Sequence, residues 1–247
     1  MSMFDIDFSK IKNAEIQYEP FPHFVIKDFF ASFHLRSIRE GFPKSKIEQS
    51  KMTSKSRYTI VYESEYFKEL MQENLVWNQF YKQMSSDLFK EIIRDKYEET
   101  ANFAGDMSDI DLKFQMDITF AKRGYTRSIH LDRGFHFFNS FIYLNGRDEF
   151  GGEGGELQLH EVAKGRGLYD KFPETNRIES TKIIEIESNT FVGFFCCPWS
   201  YHSVVPMRGN NNTRDFIYCA LNEANEKNLW PEAVVLSEKR RKKFILE

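Results

Sequence analysis

The stretch from Asp111 to Ala121, D-L-K-F-Q-M-D-I-T-F-A, alternates strictly between apolar and mostly polar residues. Successive side chains on a strand point to opposite faces. The spacing therefore predicts a half-buried β-strand with Leu112, Phe114, Met116, Ile118 and Phe120 on its covered side. Seven further strand-like runs follow: Ser128 to Asp132, Phe137 to Leu144, Glu156 to His160, Lys182 to Glu187, Phe191 to Phe195, Ser200 to Val205 and Arg214 to Leu221. Turns bearing Gly, Asn and Pro separate them. Eight such runs point to a sandwich or barrel of the jelly-roll type rather than to alternating βα units.

Upstream the texture is helical. Phe21 to Lys27 and Tyr58 to Tyr62 have short-strand composition, whereas Asp28 to Gly41 carries a rough helical stripe that ends at Pro43. From Ser64 to about Thr100, apolar residues such as Phe67, Leu70, Phe80, Met84 and Phe89 recur at three- and four-residue steps. That pattern predicts one broken helix or two consecutive amphipathic helices packed on a sheet. The expected fold is mainly β with flanking helices: a double-stranded β-helix (jelly-roll, cupin-like) core with the N-terminal helices on one sheet. Residues 1–247 read as one domain, with a helical and mixed support region over 1–110, the core over 111–222 and a C-terminal segment over 223–247. Ala163 to Ser180 reads as a long polar insertion, and Ser237 to Lys243 as a basic, solvated helix face.

Composition narrows the function classes. The formal net charge of −3 and pI near 6.1 provide no general field for nucleic acid or an anionic membrane. No apolar run approaches the roughly 20 residues of a membrane span, and the N-terminus lacks the basic start and apolar middle of a signal peptide. Three cysteines, with Cys196 and Cys197 adjacent, do not make a disulfide framework. A reduced cytoplasmic protein acting on a small-molecule or peptide substrate is the expectation.

The chemistry starts at Ser128 to Asn145, where His130 and Asp132 stand two residues apart. On a strand these side chains share a face, about 7 Å apart, and both can reach one metal ion. With six His and thirteen Asp in the chain, about 0.3 such pairs are expected by chance, so the pair needs company. His202, in W-S-Y-H-S-V-V-P, is the chosen third ligand. Two imidazoles and one carboxylate on one face of an octahedral ion suit non-haem Fe(II) oxygenases. Asn210-Asn211-Asn212 reads as a hairpin turn that brings Arg214 back beside His202, where a guanidinium can bind a carboxylate bidentately. His136 and His160 are alternatives for the third ligand, and Glu156 is one in a cupin-like site. Arg127, Arg133, His136 and Trp199 are candidate substrate contacts. Alternation turns Tyr201 to the face opposite His202, and turns Arg127 away from Asp132 while leaving it near the mouth.

The ordered series H-L-D, I-Y-L-N, G-G-E-L, H-S-V-V-P and N-T-R resembles the iron- and 2-oxoglutarate-dependent oxygenases, in their prolyl-4-hydroxylase-like branch. It covers about Asp111 to Leu221, and P-F-P-H-F-V-I-K-D-F-F near the N-terminus is similar to the opening of bacterial and phage members. The resemblance implies that His130, Asp132 and His202 ligate Fe(II). It implies that Arg214 holds the distal carboxylate of 2-oxoglutarate with Tyr143, and that O2 is the oxidant. Asp132, which halogenating relatives lack, implies hydroxylation or a related oxidation. Two departures stand out: Arg214 lies twelve residues past His202, and Phe120 stands where relatives often carry tyrosine. A cupin-type metal dioxygenase or isomerase without 2-oxoglutarate, and a jelly-roll binding module with incidental histidines, are the competing readings.

Overall fold

The protein is described by a computed structural model covering residues 4–50, 52–54, 56–100, 106–163, 171–209 and 213–229. In chain order its strands are β1 (His23–Ile26), β2 (Met52–Ser54), β3 (Arg57–Ile60), β4 (Leu112–Ala121), β5 (Arg127–His130), β6 (His136–Tyr143) and β7 (Gly152–Glu153). They continue as β8 (Leu157–Val162), β9 (Ile178–Ile184), β10 (Thr190–Phe195), β11 (Tyr201–Val204), β12 (Arg208–Gly209) and β13 (Arg214–Glu223). The helices are α1 (Ser9–Lys12), α2 (Ser32–Glu40), α3 (Lys44–Gln49), α4 (Glu65–Glu73), α5 (Leu75–Met84), α6 (Asp87–Glu98) and α7 (Arg147–Phe150).

Two antiparallel sheets carry the fold. The larger runs β1-β10-β6-β13-β4-β3-β2 and the smaller β5-β11-β8-β9, with β7 and β12 pairing as a separate ribbon. From β4 onward the chain crosses repeatedly between them: β4, β6, β10 and β13 lie in the large sheet, and β5, β8, β9 and β11 in the small one. One apolar cluster fills the space between the sheets, with Val192, Phe194 and Phe216 from one side and Leu157, Leu159 and Val204 from the other.

A second, larger cluster lies on the outer face of the large sheet. There Phe114, Met116, Ile118 and Phe120 of β4 meet Trp77, Phe80 and Met84 of α5 and Phe89, Ile92 and Ile93 of α6. Each such side chain, fully buried, contributes about 1.5–3 kcal/mol. The alternation in β4 is thus correct for its first half only. Asp117, Thr119 and Ala121 on its other face are buried as well, because that face looks between the sheets.

Residues 64–100 form three helices rather than one or two. The caps decide this: the Ser64 side chain accepts from Phe67 N, Asn74 from Val76 N and Trp77 N, and Ser86 from Phe89 N. Each cap satisfies donors that a continuous helix would not leave free, cutting the apolar stripe in two places. The insertion is shorter than it reads, since β9 begins at Ile178, ahead of the expected Lys182, and pairs with β8 along its length. Residues 164–170, the Asn210-Asn211-Asn212 turn and the basic Ser237 to Lys243 segment lie outside the described residues. Among the described residues, no helix is long and apolar enough to cross a membrane. Cys196, Cys197 and Cys219 are buried free thiols.

Candidate metal centre and its cavity

β5 and β11 are neighbours in the small sheet, and their register sets His130 directly opposite His202, with ring centroids 4.4 Å apart. Asp132 follows just past the end of β5. Its Oδ1 lies 3.6 Å from His130 Nε2 and its Oδ2 3.3 Å from His202 Nε2. One ligand atom from each of the three lies within 4.8 Å of the others.

The backbone fixes which nitrogen faces inward. His130 Nδ1 is 2.8 Å from the Ser128 carbonyl oxygen, and His202 Nδ1 is 3.1 Å from that of Ser200. A carbonyl only accepts, so each Nδ1 carries a proton and each Nε2 is the nitrogen turned toward Asp132. Burial, with His202 close by, pushes His130 down to about 3, leaving a neutral ring fit to ligate. Burial opposes the charge on Asp132, yet the surrounding His202, His130, His136 and Arg127 hold its carboxyl well below the usual range. Asn139, on β6, donates from Nδ2 to Asp132 Oδ2 and accepts at Oδ1 from the Tyr218 hydroxyl at 2.8 Å. That relay from β13 through β6 holds the carboxylate in place.

A cavity of about 310 Å³ between the sheets contains the triad. Arg214 lines it from the first residue of β13, and here the hairpin expectation is corrected. His202 and Arg214 belong to opposite sheets, and they face one space across the sandwich instead of lying side by side. Between them the chain detours through β12, which pairs with β7. Gly154 and Gly155 make room for this. Gly154 has φ +77°, and a Cβ there would fall 2.0 Å from the Pro206 carbonyl oxygen. A Cβ on Gly155, at φ +86°, would crowd Met207 and come 3.5 Å from Arg214 Cδ.

Arg214 is 2% exposed, and neither its Nε nor its Nη1 has a hydrogen-bond partner. Its guanidinium carbon sits 4.7 Å from the Tyr143 ring centroid and 4.9 Å from that of Phe216. The Tyr143 hydroxyl is also buried and unpartnered, and burial raises its pKa, keeping it a proton donor. Among the described residues, these guanidinium nitrogens and this hydroxyl have no hydrogen-bond partner, and together they form a cradle suited to an oxyanion.

The remaining candidates separate cleanly. Arg127, Arg133 and His136 line the cavity. Arg127 does not turn away from the triad, since its Nη2 lies 3.4 Å from His130 Nε2. The cause is an irregularity in the β5–β11 register: the partners His202↔His130 and Val204↔Arg127 leave an extra residue in β5, which re-aims Arg127. Trp199 is half-buried against the inter-sheet cluster and is not on the cavity wall. His160 bridges Thr181 Oγ1 and Ser203 Oγ at 2.8 Å each, spending both nitrogens on strand neighbours. Glu156 pairs with Arg147, away from the triad. Asn139, Tyr218, Tyr125 and Arg57 line or support the cavity without any local motif to announce them; a polar Asn in the apolar run F-F-N-S-F is the one usable signal.

No protein-family model and no curated protein matches this sequence. Solved structures do match its shape. A prolyl 4-hydroxylase from Phytophthora capsici superposes with TM-score 0.59 at 15% identity, covering 94% of this chain and 70% of its own. A 2OG-Fe(II) oxygenase family oxidoreductase from Burkholderia pseudomallei gives 0.55 at 13%, covering 93% and 97%. A prolyl hydroxylase from Trichoplax adhaerens, in complex with a hypoxia inducible factor oxygen degradation domain peptide fragment, gives 0.52 at 11%, covering 88% and 90%. The chain has the 2OG-Fe(II) oxygenase fold. Within that fold Phe120 loses its relevance to the site, because it points outward into the helical cluster. A divalent iron fits the donors present: two imidazoles with Nε2 presented inward and one ionised carboxylate. A dicarboxylate fits the unpartnered Arg214 and Tyr143.

Proposed function

We propose that this protein is an Fe(II)- and 2-oxoglutarate-dependent oxygenase. In this reading it hydroxylates an aliphatic C–H of a prolyl, amino-acid-like or other small-molecule substrate. Substrate, O2 and 2-oxoglutarate give hydroxylated product, succinate and CO2, one oxygen atom entering each of product and succinate. The observation that carries the reading is Arg214, a buried guanidinium whose Nε and Nη1 have no hydrogen-bond partner among the described residues, facing the same cavity as a His-Asp-His group. The alternation of strands between two sheets supports a double-stranded β-helix winding for the core.

His130, Asp132 and His202 would hold the iron, and Arg214 with the Tyr143 hydroxyl the distal carboxylate of the co-substrate. Together the iron and 2-oxoglutarate supply the oxidising chemistry when bound. The chain's own contribution is placement. The Ser128 and Ser200 carbonyls fix the imidazole tautomers, and Asn139 fixes the carboxylate. Leu157, Val204, Phe141 and Phe216 give the cavity its apolar wall. The test is an anaerobic titration with Fe(II) and 2-oxoglutarate, followed by a succinate-release screen in air. Saturable binding of 2-oxoglutarate that requires Fe(II), and succinate release that requires both, are expected. Metal uptake with no 2-oxoglutarate dependence would refute the reading.

A further inference from the structure

Arg214 is one of four arginines on the cavity wall; the others are Arg57, Arg127 and Arg133. Arg39 and Arg147, on the surface, each hold a glutamate. Among the described residues none of the three additional cavity arginines is in an ion pair, although Asp117 and Glu226 share the cavity. Asp117 accepts from Tyr62 N at 2.9 Å, and Arg57 lies near enough to favour its charge although the two form no ion pair. Arg57 Nε is buried without a hydrogen-bond partner. Arg127 leans on His130, and Arg133 lies 5.8 Å from the Phe135 ring.

Strand register explains why Arg57 and Arg214 work on the same space. Arg57 on β3 and Arg214 on β13 both have Ala121 of β4 as their cross-strand partner, one from each side. They share a face, about 10 Å apart at Cα, with only a methyl group between them. Phe216 stands beside both: Arg57 Cζ is 5.9 Å from its ring centroid and Arg214 Cζ 4.9 Å. The two guanidinium positions thus flank one aromatic ring. Arg214 is fully buried, Arg57 half-buried nearer the mouth. A dicarboxylate co-substrate accounts for the inner position and leaves Arg57 Nε, at the outer one, without a hydrogen-bond partner among the described residues.

We propose that the primary substrate carries its own free carboxylate, received by Arg57 with Arg133 and Arg127 alongside. The substrate class is then a free amino acid or small organic acid, not an internal prolyl residue of a neutral peptide. Charge recognition of this kind favours the planar guanidinium fork. Size agrees. About 310 Å³ is at the small end of ligand pockets and must also admit the co-substrate.

The inference rests on the oxygenase reading, and the two fail separately. Succinate formed from Fe(II) and 2-oxoglutarate without primary substrate reports on that reading alone. Substrate stimulation of succinate release, together with thermal shift, reports on the inference. The probes are free L-amino acids and small monocarboxylic acids, each matched with its primary amide, plus O-phosphoserine and an N-acetylated, C-amidated prolyl tripeptide. At least one acid is expected to stimulate and stabilise where its amide does not. In Arg57→Gln the acid-over-amide preference should fall roughly tenfold or more, as loss of a charge-assisted contact predicts, and Arg57→Lys should restore part of it. A general loss of folding would not change that ratio selectively. Equal response to acid and amide, response to the tripeptide or the phosphomonoester alone, no response to any acid, or an unchanged ratio in Arg57→Gln would each overturn it.

Discussion

Replacing Arg214 with methionine separates what this residue costs the fold from what it gives the ligand. The side chain is 2% exposed, with Nε and Nη1 unpartnered among the described residues, so folding without a ligand desolvates a charge that these residues do not compensate there by hydrogen bonds. That penalty is several kcal/mol. Against it stand two ring contacts, at 4.7 and 4.9 Å, each worth about 0.5–2 kcal/mol. Methionine matches the stem in volume and leaves the charge out. Arg214→Met should therefore be neutral to stabilising by about 1 kcal/mol or more without co-substrate, a rise of about 2–4 °C in Tm per kcal/mol. The effect of 2-oxoglutarate reverses the order. With Fe(II) present and air excluded, ligand at a hundred times Kd stabilises wild type by about 2.7 kcal/mol. Loss of a charge-assisted contact of about 1.5–3 kcal/mol weakens binding about 10- to 150-fold, which at the same concentration leaves about 0.3–1.4 kcal/mol. Paired thermal melts with and without 2-oxoglutarate read both numbers. A variant that melts lower than wild type on its own and still gains the whole ligand shift would refute the argument.

Other substitutions report on the rest of the site. His130→Ala and Asp132→Ala should abolish Fe(II) binding and turnover while circular dichroism stays native, since the triad faces a cavity and not the packed core. Asn139→Leu strands the Tyr218 hydroxyl and frees Asp132, so metal affinity should fall about 10- to 100-fold in a competition titration with a chelator. An unchanged metal Kd would remove Asn139 from its positioning role. Acidification gives a signed test at His160, away from the metal. Burial lowers its pKa to about 4, so the folded state holds it neutral while the unfolded chain protonates near 6.5. Its contribution to stability is present above about 6.5 and is lost progressively as pH falls toward 4. His160→Gln should flatten the fall in apoprotein Tm between pH 7 and pH 5, and an equally steep fall would exclude His160 as a cause.

What could be read ahead of the structure followed from how far each relation extends along the chain. The His130–Asp132 pair is local: two positions on an extended segment share a face, and spacing alone places them. The alternation in β4 is local too, and its outward set packs under the helices as expected. Asp117 and Thr119 read as solvent-facing because a polar residue on one side of a strand is normally wet. Here that side looks into the cavity, and only the second sheet makes it so. The same limit hid the partnership of Asn139 with Asp132, which joins β6 to the end of β5, and turned the expected β11–β13 hairpin into a pair on opposite sheets.

Arg57 makes the point most sharply. It lies in the segment S-K-S-R-Y, just ahead of the short strand-like run Tyr58 to Tyr62, where nothing local marks it. It reaches the site because β3 pairs with β4 and sets it opposite Ala121, with Arg214 on the far side of the same residue. A pairing across more than sixty residues of sequence, between a short edge-proximal strand and a central one, has no signature in either segment alone. Catalytic ligands that act through a shared metal must sit close together and tend to leave a spacing. A specificity determinant only has to arrive at the right wall, and any strand can bring it there. Substitutions in β3 should therefore alter which substrate is accepted without altering which metal is bound. Arg57→Gln with wild-type Fe(II) affinity and a collapsed acid preference would show that division, and a matching loss of metal affinity would deny it.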